Sequence, residues 1–450
     1  MSIFSIFIAI LIFSLLIIVH EIGHFAAAKL LGVRVLEFSL FMGPRLASVM
    51  RGETRYSIKL IPIGGSCLME GEEQSSDDTR ALHKKPKRVR AAIMAAGPFV
   101  NLLVAFLALL AADYFSGYQS NVVAYVEPGS PAAVASVPLA AGDRVVRYAG
   151  RAVNVPMELN MYTYDTRGES VEIAFKRDGA LHVAAIRPET FPEAYYVLGF
   201  TGAAVYGPDW NLARAVDEKE AAYAAGMREG DRLLTVGGRT PDSREALRDI
   251  LADFGGGPVE IEWERDGGTV MSGNATPRLA ESYGGYETGM QFSLVEKPGM
   301  LASCGQAFFD AVSYAKMVLY TLKWIVTGRA GLDQISGPIG IVTEIGSVIE
   351  LDVNAGVPPE QAMSDREAFF VKLFYLLRFS SVIGVNLGLV NLIPFPALDG
   401  SKLLLIGVEA VRGKAMPPER EAVISFVGLV ALMLVMALTF FNDISKLVAK

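Results

Sequence analysis

The chain has 450 residues, of which 52% are hydrophobic, and its formal net charge is −7. A mean hydropathy of +0.35 excludes an ordinary soluble enzyme, and the length is sufficient for several domains. The negative charge excludes the basic surface that nucleic-acid binding requires, so no nucleic-acid partner is expected. The two cysteines, Cys67 and Cys304, lack the spacing of a metal-binding pair and are expected to be packing residues without a disulfide.

The first predicted element is a transmembrane helix over residues 1–28. Residues 2–19 are almost without interruption apolar, which is long enough to span a bilayer. A cleaved signal peptide is the alternative, with Ala26-Ala27-Ala28 as its cleavage site, but no positive charge precedes the apolar stretch. We therefore expect the segment to be retained as a membrane span.

The motif His20-Glu21-Ile22-Gly23-His24 lies at the end of this span. Because positions i and i+4 share a helix face, His20 and His24 can bind one metal ion, with Glu21 beside them as the base for an activated water. Two structural histidines and a surface glutamate are the alternative, and they would suit a soluble helix. Ionisable groups on a membrane helix are costly, so the pattern favours a metal site.

A basic loop is predicted over residues 29–90. Lysines and arginines recur through it and cluster at 83–90, and basic loops between apolar spans mark the cytoplasmic side. The motif would then lie near the cytoplasmic end of the first span, with the N-terminus outside. Within the loop, residues 56–69 are rich in β-forming residues, and Gly64-Gly65 predicts a hairpin turn. This hairpin could lie against the bilayer with a free edge, or it could be a small cytoplasmic β-element.

Three further membrane spans are predicted. The second covers residues 91–113 and contains Gly97-Pro98 and Asn101, for which close helix packing is the expected role. An amphipathic helix and a turn over 300–345 are expected on the outer surface, because charged residues interrupt the apolar run. The remaining spans are expected in the segment 369–400 and at 423–441, so that the C-terminus also lies outside.

Between the second span and the surface helix, the sequence repeats itself at one constant spacing. This indicates two copies of one fold, at 121–200 and 201–295, each with short strands and a helix. They resemble PDZ domains, which bind peptides by strand addition, so peptide ends are candidate partners of these extracytoplasmic domains. The repeated segments include Gly142-Asp143-Arg144 with Gly230-Asp231-Arg232, Val171-Glu172-Ile173 with Val259-Glu260-Ile261, and Arg177-Asp178-Gly179 with Arg265-Asp266-Gly267.

A catalytic zinc needs a third protein ligand. The other histidines, His83 and His182, belong to the basic loop and an outside domain, so a carboxylate is expected. Asp399 follows the third span after a break at Pro394 and Pro396, and Gly400 permits a tight turn that brings it back toward the first span. The alternatives, Glu409 and Glu421, lie beyond this break in or beside a cytoplasmic loop.

The chain resembles the site-2 protease family of intramembrane zinc metalloproteases, in its bacterial RseP branch with tandem PDZ domains. The resemblance covers the whole length. It rests on the first-span motif, the Gly64-Gly65 loop, Gly97-Pro98 with Asn101, the duplicated domain, Asn386 with Asn391, Leu398-Asp399-Gly400, and Phe441-Asn442-Asp443. One departure is that many relatives continue with Gly-His where this chain has Ser401-Lys402, which should alter the local loop and leave zinc binding intact.

The resemblance implies a multi-pass α-helical membrane protein with four transmembrane helices, two inserted PDZ-like α+β domains and a membrane-associated β-hairpin. It implies one Zn2+ per chain, Asp399 as third ligand, Asn391 as a substrate-positioning residue, and a strand edge at Gly64-Gly65 that contacts substrate. Asn386 and Pro394 are further candidate substrate contacts. The implied substrates are single-span membrane proteins in the bacterial inner membrane, such as anti-sigma factors and remnant signal peptides.

Two other classes of function remain at this point. A catalytically silent scaffold would use only the PDZ pair, and the complete set of His, Glu, His and Asp argues against it. A metal transporter would also place His and Asp in the membrane, but it needs no base beside the ligands. The PDZ pair itself could bind the ends of trimmed substrates or exclude untrimmed ones by bulk.

Overall fold

The structure is a computed structural model, and it describes residues 3–72, 74–192, 194–202, 209–265, 267–281, 285–331, 337–350, 353, 363–414 and 416–448. The chain divides into two compact units. The helical unit comprises Met1–Ser116, Lys297–Leu351 and Val371–Lys450, and the β-rich unit comprises Gly117–Glu296 and Asp352–Phe370.

Four helices of the described residues are long and apolar enough to cross a membrane, in the order in which the sequence predicts four spans. They cover 6–30, 87–116, 365–392 and 423–444. The helices of the described residues are α1 (Ile3–Leu30), α2 (Lys87–Ser116), α3 (Pro156–Thr166), α4 (Ala221–Ala225), α5 (Arg244–Phe254), α6 (Met300–Val326), α7 (Pro338–Glu350), α8 (Asp365–Leu392), α9 (Asp399–Arg412) and α10 (Pro418–Val448).

The strands divide between a long pair in the helical unit and short strands in the β-rich unit. They are β1 (Val35–Arg51), β2 (Thr54–Met69), β3 (Tyr118–Val126), β4 (Arg144–Tyr148), β5 (Arg151–Ala152), β6 (Val171–Arg177), β7 (Ala180–Ile186), β8 (Glu189–Phe191), β9 (Ala194–Val197), β10 (Phe200–Gly202), β11 (Ala213–Val216), β12 (Arg232–Val236), β13 (Val259–Arg265), β14 (Thr269–Ala275), β15 (Arg278–Glu281), β16 (Gly285–Glu287) and β17 (Met290–Val295).

The sequence predicts a hairpin within residues 56–69 that turns at Gly64-Gly65. This prediction is wrong, because the structure has a different pair of strands and a different turn. Residues 54–69 form one strand, β2, which pairs with the unpredicted strand β1, and the turn between them contains Gly52 with φ +64°. Gly64 lies inside β2 and bends it with φ +68°. The register pairs residues 37–40 of β1 both with 65–68 and with 55–58. The two long strands therefore bend and form one β-element, in which 37–40 lies between two segments of β2.

One apolar core joins α1, the β-element, α2 and α9. Ala28, Val35, Cys67, Ile93 and Ile406 are buried together in it. α1 and α2 pack closely where they cross at Gly23. A Cβ on Gly23 would lie 2.6 Å from the Ala96 carbonyl oxygen. Cys67 and Cys304 are free thiols, which agrees with the expectation that they form no disulfide.

The predicted surface helix and turn over 300–345 consist of two helices. The turn was expected at Gly337-Pro338-Ile339-Gly340, but α7 begins at Pro338 and continues through these residues. The Asp443 carboxylate on α10 accepts hydrogen bonds from the backbone N–H groups of Gly337 (3.1 Å) and Gly340 (2.9 Å), and so caps the first turn of α7. A distant carboxylate supplies the capping group here, which local sequence patterns do not reveal.

In the β-rich unit the predicted boundary at residue 200 does not separate two sheets. The larger sheet has the order β17-β3-β4-β6-β7 with β5 on β4, so the strand β17, assigned by sequence to the second copy, pairs with β3 of the first. β9 and β15 pair with each other, and Tyr196 of β9 packs on the core of the second copy. The second copy is therefore inserted into the first.

The two copies share their buried polar contacts. Arg177 Nη2 donates to Asp143 Oδ2 at 2.7 Å, and Arg265 Nη2 donates to Asp231 Oδ2 at the same distance. Both aspartates are almost fully buried. The repeated Gly-Asp-Arg and Arg-Asp-Gly segments thus supply the two halves of one ion pair in each copy.

Candidate metal centre

Three potential ligands converge in the helical unit. α1 presents His20 and His24 one turn apart, with only 7% and 6% of each residue exposed. Their Nε2 atoms lie 3.1 Å apart. Asp399 Oδ2 lies 3.0 Å from His20 Nε2 and 3.2 Å from His24 Nε2. In the part of the chain that the structure describes, these three residues form the one group of His, Cys, Asp or Glu able to hold a metal ion.

The geometry and the donor set fit zinc. Two ligand atoms about 2.0–2.1 Å from a tetrahedral zinc lie about 3.3 Å apart, close to the three separations found here. The carbonyl oxygen of Ile93 is 2.8 Å from His24 Nδ1, so the Nδ1–H donates to it and Nε2 keeps its lone pair for a metal. Two imidazoles and one carboxylate leave a fourth position open, as in catalytic zinc sites.

A strained turn brings Asp399 to the histidines. Ala397 has φ +80°, an unusual conformation for a residue with a Cβ, and Asp399 then begins α9. Gly400 is buried in the first turn of α9, where a Cβ would lie 2.3 Å from the carbonyl oxygens of Leu392 and Ile393. The prediction that Gly400 supplies the turn is therefore wrong, since Ala397 supplies it and Gly400 permits close packing against the end of α8.

The two alternative carboxylates have other surroundings. Glu409 Oε2 lies 2.6 Å from Arg90 Nη1. Glu421 lines a separate cavity with Met416 and Pro417. Neither belongs to the group that converges on the histidines.

α2 completes the surroundings of the histidines through Gly97 and Asn101, which are one turn apart. A Cβ on Gly97 would lie 2.4 Å from His24 Nε2 and 2.8 Å from His20 Nε2, so only glycine leaves room for the centre. The Asn101 amide lies 3.3 Å from His20 Nδ1, and its Oδ1 is buried with no hydrogen-bond partner among the described residues. Turning the amide over lets His20 Nδ1–H donate to Oδ1 and satisfies both groups.

Sequence reasoning missed this role, because it assigned Gly97 and Asn101 to helix packing. Their i, i+4 spacing places both on one face of α2 and is the signal that could have indicated a shared task. The spacing of Gly97 and Asn101 does not indicate which face of α1 packs against them. Asn391, on α8, lies 3.5 Å from both ring nitrogens of His20 and also lines the site.

Glu21 lies beside the histidines at the β-element. Its carboxylate accepts a hydrogen bond from the backbone N–H of Cys67 in β2. A Cβ on Gly65 would lie 3.7 Å from Glu21 Cγ and 2.9 Å from the Ser39 carbonyl oxygen. Gly65 thus allows β2 to pass close to both β1 and the carboxylate.

The site opens into a cavity of about 650 Å³. Its lining includes His20, Glu21, His24, Asn391 and Asp399, the strand residues 66–69, and the charged side chains Glu37, Lys59, Glu72 and Lys402. Four candidate substrate contacts lie outside this lining: Gly64 sits at a bend of β2 against Ile17, Gly65 lies next to Glu21, and Asn386 and Pro394 are exposed. The structure therefore brings together five of the nine candidate site residues, with Gly65 directly behind Glu21.

Comparison with known proteins places this arrangement in a family. The sequence profile of peptidase family M50 matches residues 8–435. A protein of Clostridium perfringens that bears the name "Putative zinc metalloprotease" is 30% identical over 437 residues, covering 97% of each chain.

Two further relatives carry functional names. The zinc metalloprotease RasP of Shouchella clausii is 28% identical over 446 residues, covering 97% of this chain and 98% of its own. The regulator of sigma-W protease RasP of Bacillus subtilis is 28% identical over 463 residues, covering 97% of each chain. The chain therefore belongs to peptidase family M50, the site-2 protease family, and it is a zinc metalloprotease with Zn2+ as its cofactor.

Proposed function

We propose that this protein is an intramembrane protease that hydrolyses peptide bonds within the transmembrane segments of single-span membrane proteins. In this proposal His20, His24 and Asp399 hold the Zn2+, and Glu21 is the general base. The observation that carries it is the convergence of three ligand atoms, from His20, His24 and Asp399, next to the carboxylate of Glu21. His20, Glu21 and His24 lie on a helix that is long and apolar enough to cross a membrane.

The chemistry divides between the cofactor and Glu21. When bound, zinc supplies a Lewis acid that polarises the peptide carbonyl and lowers the pKa of a coordinated water to about 7. Glu21 accepts the proton of the attacking water and returns it to the leaving amine. The Cys67 N–H bond orients its carboxylate toward the cavity that holds the three ligands. Asn391 lines the same cavity beside His20 and is placed to contact the substrate backbone.

A substrate helix must unwind before cleavage, since its carbonyls are already bonded within the helix and lipid offers no other partner. The edge of β2 supplies replacement partners. Residues 65–69 pair with β1 on one side, and by the alternation of an antiparallel pair the N–H groups of Cys67 and Met69 face away from β1. We infer that this edge, next to the Gly64-Gly65 bend, receives the opened substrate strand.

The β-rich unit is proposed to act as a PDZ pair that gates access outside the membrane. A groove of about 540 Å³ in the β-rich unit is lined by Leu198, Gly199 and Phe200 and by Leu247 and Leu251 of α5. A groove between a strand and a helix suits an extended peptide end. Substrates shortened outside the membrane, such as membrane-bound anti-sigma factors and remnant signal peptides, would offer such an end.

The proposed location is the bacterial inner membrane, with both termini and the β-rich unit outside. The metal centre would then lie near the cytoplasmic face. The basic loop that contains the β-element supports this orientation.

The proposal is tested by varying the helix stability of the substrate. Purified protein in lipid vesicles is given two single-span peptides, one with a Gly-Pro pair in its apolar segment and one with a run of leucines there. We expect zinc-dependent cleavage, faster for the first peptide and abolished by a chelator. Equal rates for the two peptides would contradict the unwinding step, and absence of cleavage of both would contradict the proposed function.

A further inference from the structure

Glu72, in the loop after β2, is bound through both of its carboxylate oxygens. Oε2 accepts the backbone N–H of Met69 at 3.2 Å, and Oε1 accepts the ammonium of Lys402 at 2.6 Å. The side chains of Glu72 and Lys402 are 14% and 26% exposed. Burial acts to lower the pKa of Lys402, but the neighbouring carboxylates of Glu72, Asp399 and Glu421 together outweigh it, and the pKa lies above its ordinary value.

The two outward-facing donors of the strand edge are both occupied by carboxylates. Cys67 N–H donates to Glu21, and Met69 N–H donates to Glu72. On this side of residues 65–69, no other strand of the described chain pairs with β2. An edge with free donors is a template for strand addition, and the acidic side chains cover it.

Glu72 and Lys402 also stand between two cavities. Both line the cavity of the metal centre, and both line a second cavity of about 220 Å³ that includes His83, Arg90 and Glu421. A peptide strand that adds to the edge of β2 near Met69 would therefore contact the ion pair of Glu72 and Lys402.

We propose that Glu72 is a positioning residue that caps the Met69 N–H in the free enzyme and must be displaced when a substrate strand adds to this edge. Lys402 holds the cap in place. The inference rests on the proposed function, because it assumes that the substrate backbone binds to β2. The cap competes with substrate at the binding step, and it favours segments that open readily over stable helices.

A purely structural salt bridge between α9 and the loop after β2 would have a different signature. Exchanging the two residues, Glu72→Lys with Lys402→Glu, keeps an ion pair between the same positions. It places an ammonium, which has no acceptor, beside the Met69 N–H. The exchange therefore restores a structural bridge and does not restore the cap.

The experiment measures KM and kcat for an alanine-rich single-span peptide in phosphatidylglycerol–phosphatidylethanolamine vesicles, using the full zinc-loaded chain. For Glu72→Ala and for the exchanged pair we expect KM to fall about three- to tenfold with kcat within twofold, because a hydrogen bond to a charged group no longer competes. Glu70→Ala is the matched control, since Glu70 lies in the same loop and lines neither cavity. Its KM should not change.

The outcomes separate the two claims. If wild type cleaves the peptide and Glu72→Ala leaves KM unchanged or raises it, the capping inference is overturned and the proposed function stands. If the exchanged pair restores the wild-type KM after Glu72→Ala has lowered it, the pair is a structural bridge and the inference is again overturned. A wild-type protein that cleaves no membrane peptide overturns both claims. Zinc content in each variant shows that the site is intact.

Discussion

At the scale of single residues, we propose that proton transfer and metal binding are carried out by different side chains. Glu21 is bonded to Cys67 N–H and does not belong to the converging ligand group, whereas Asp399 contacts both histidines. We expect Glu21→Gln to lower cleavage about 10²- to 10⁴-fold with one zinc still bound per chain. Asp399→Asn should lower zinc affinity itself. Zinc loss in Glu21→Gln, or full zinc and activity in Asp399→Asn, would reverse the two assignments.

Substitutions of Asn101 and Asn391, the two asparagines next to His20, should differ in their effects on zinc affinity. Asn101 is buried against His20 Nδ1, so Asn101→Leu should lower zinc affinity about 10- to 100-fold, as loss of a hydrogen-bond partner of a metal-bound histidine does. Asn391 is farther away and lines the cavity, so Asn391→Ala should change KM or kcat at full zinc occupancy. Zinc titration by a competing chelator distinguishes them, and equal affinities in both variants would remove Asn101 from the site.

The sequence predicts which residues form the site where those residues are close together along the chain. His20, Glu21 and His24 share one helix, and helical periodicity is enough to place them together. Asp399 required a topological argument, because it reaches the histidines only through the bend at Ala397. Asn101 was assigned to helix packing. Its position next to His20 can be recognised only once α1 is known to lie against this face of α2.

At the scale of elements, the crossing of α1 and α2 depends on glycines. Gly97→Ala should abolish zinc binding and cleavage, because its Cβ would occupy the space next to both Nε2 atoms. Gly407→Ala on α9 is the matched control: nothing lies within 4 Å of its Cβ, and it should keep activity and gain about 0.5–1 kcal/mol of helix stability. Zinc content and thermal unfolding measure both effects. An active, zinc-loaded Gly97→Ala would contradict the geometry of the centre.

The elements differ in how far sequence could predict them. Apolar length located the four spans, since each needs only its own residues. The partner of β2 was missed because β1 contains Gly43-Pro44 and pairs through repeated register shifts, which disturb the alternation that marks a strand. Long-range pairing of β17 with β3 was likewise not visible, because repeat matching assigns segments by order along the chain.

At the scale of the whole molecule, the proposed orientation puts the loop after β2 on the cytoplasmic side of the membrane and the β-rich unit on the outer side. In a background without Cys67 and Cys304, a cysteine at Ser76 should be protected from an impermeant thiol reagent in intact cells. A cysteine at Ser243 should be labelled, because it lies in the inserted copy proposed to be outside. Labelling after permeabilisation controls for buried positions, and labelling of Ser76→Cys alone would invert the topology.

The central claim is that the peptide bond is cut inside the membrane-spanning segment by the centre of His20, Glu21, His24 and Asp399. The most direct measurement is the mass of the fragments that purified, zinc-loaded protein releases from a single-span substrate in vesicles. We predict new termini within the apolar segment, absent after chelation and absent in Glu21→Gln. Termini found only in the soluble flanks of the substrate, or fragments that persist in Glu21→Gln, would contradict the account.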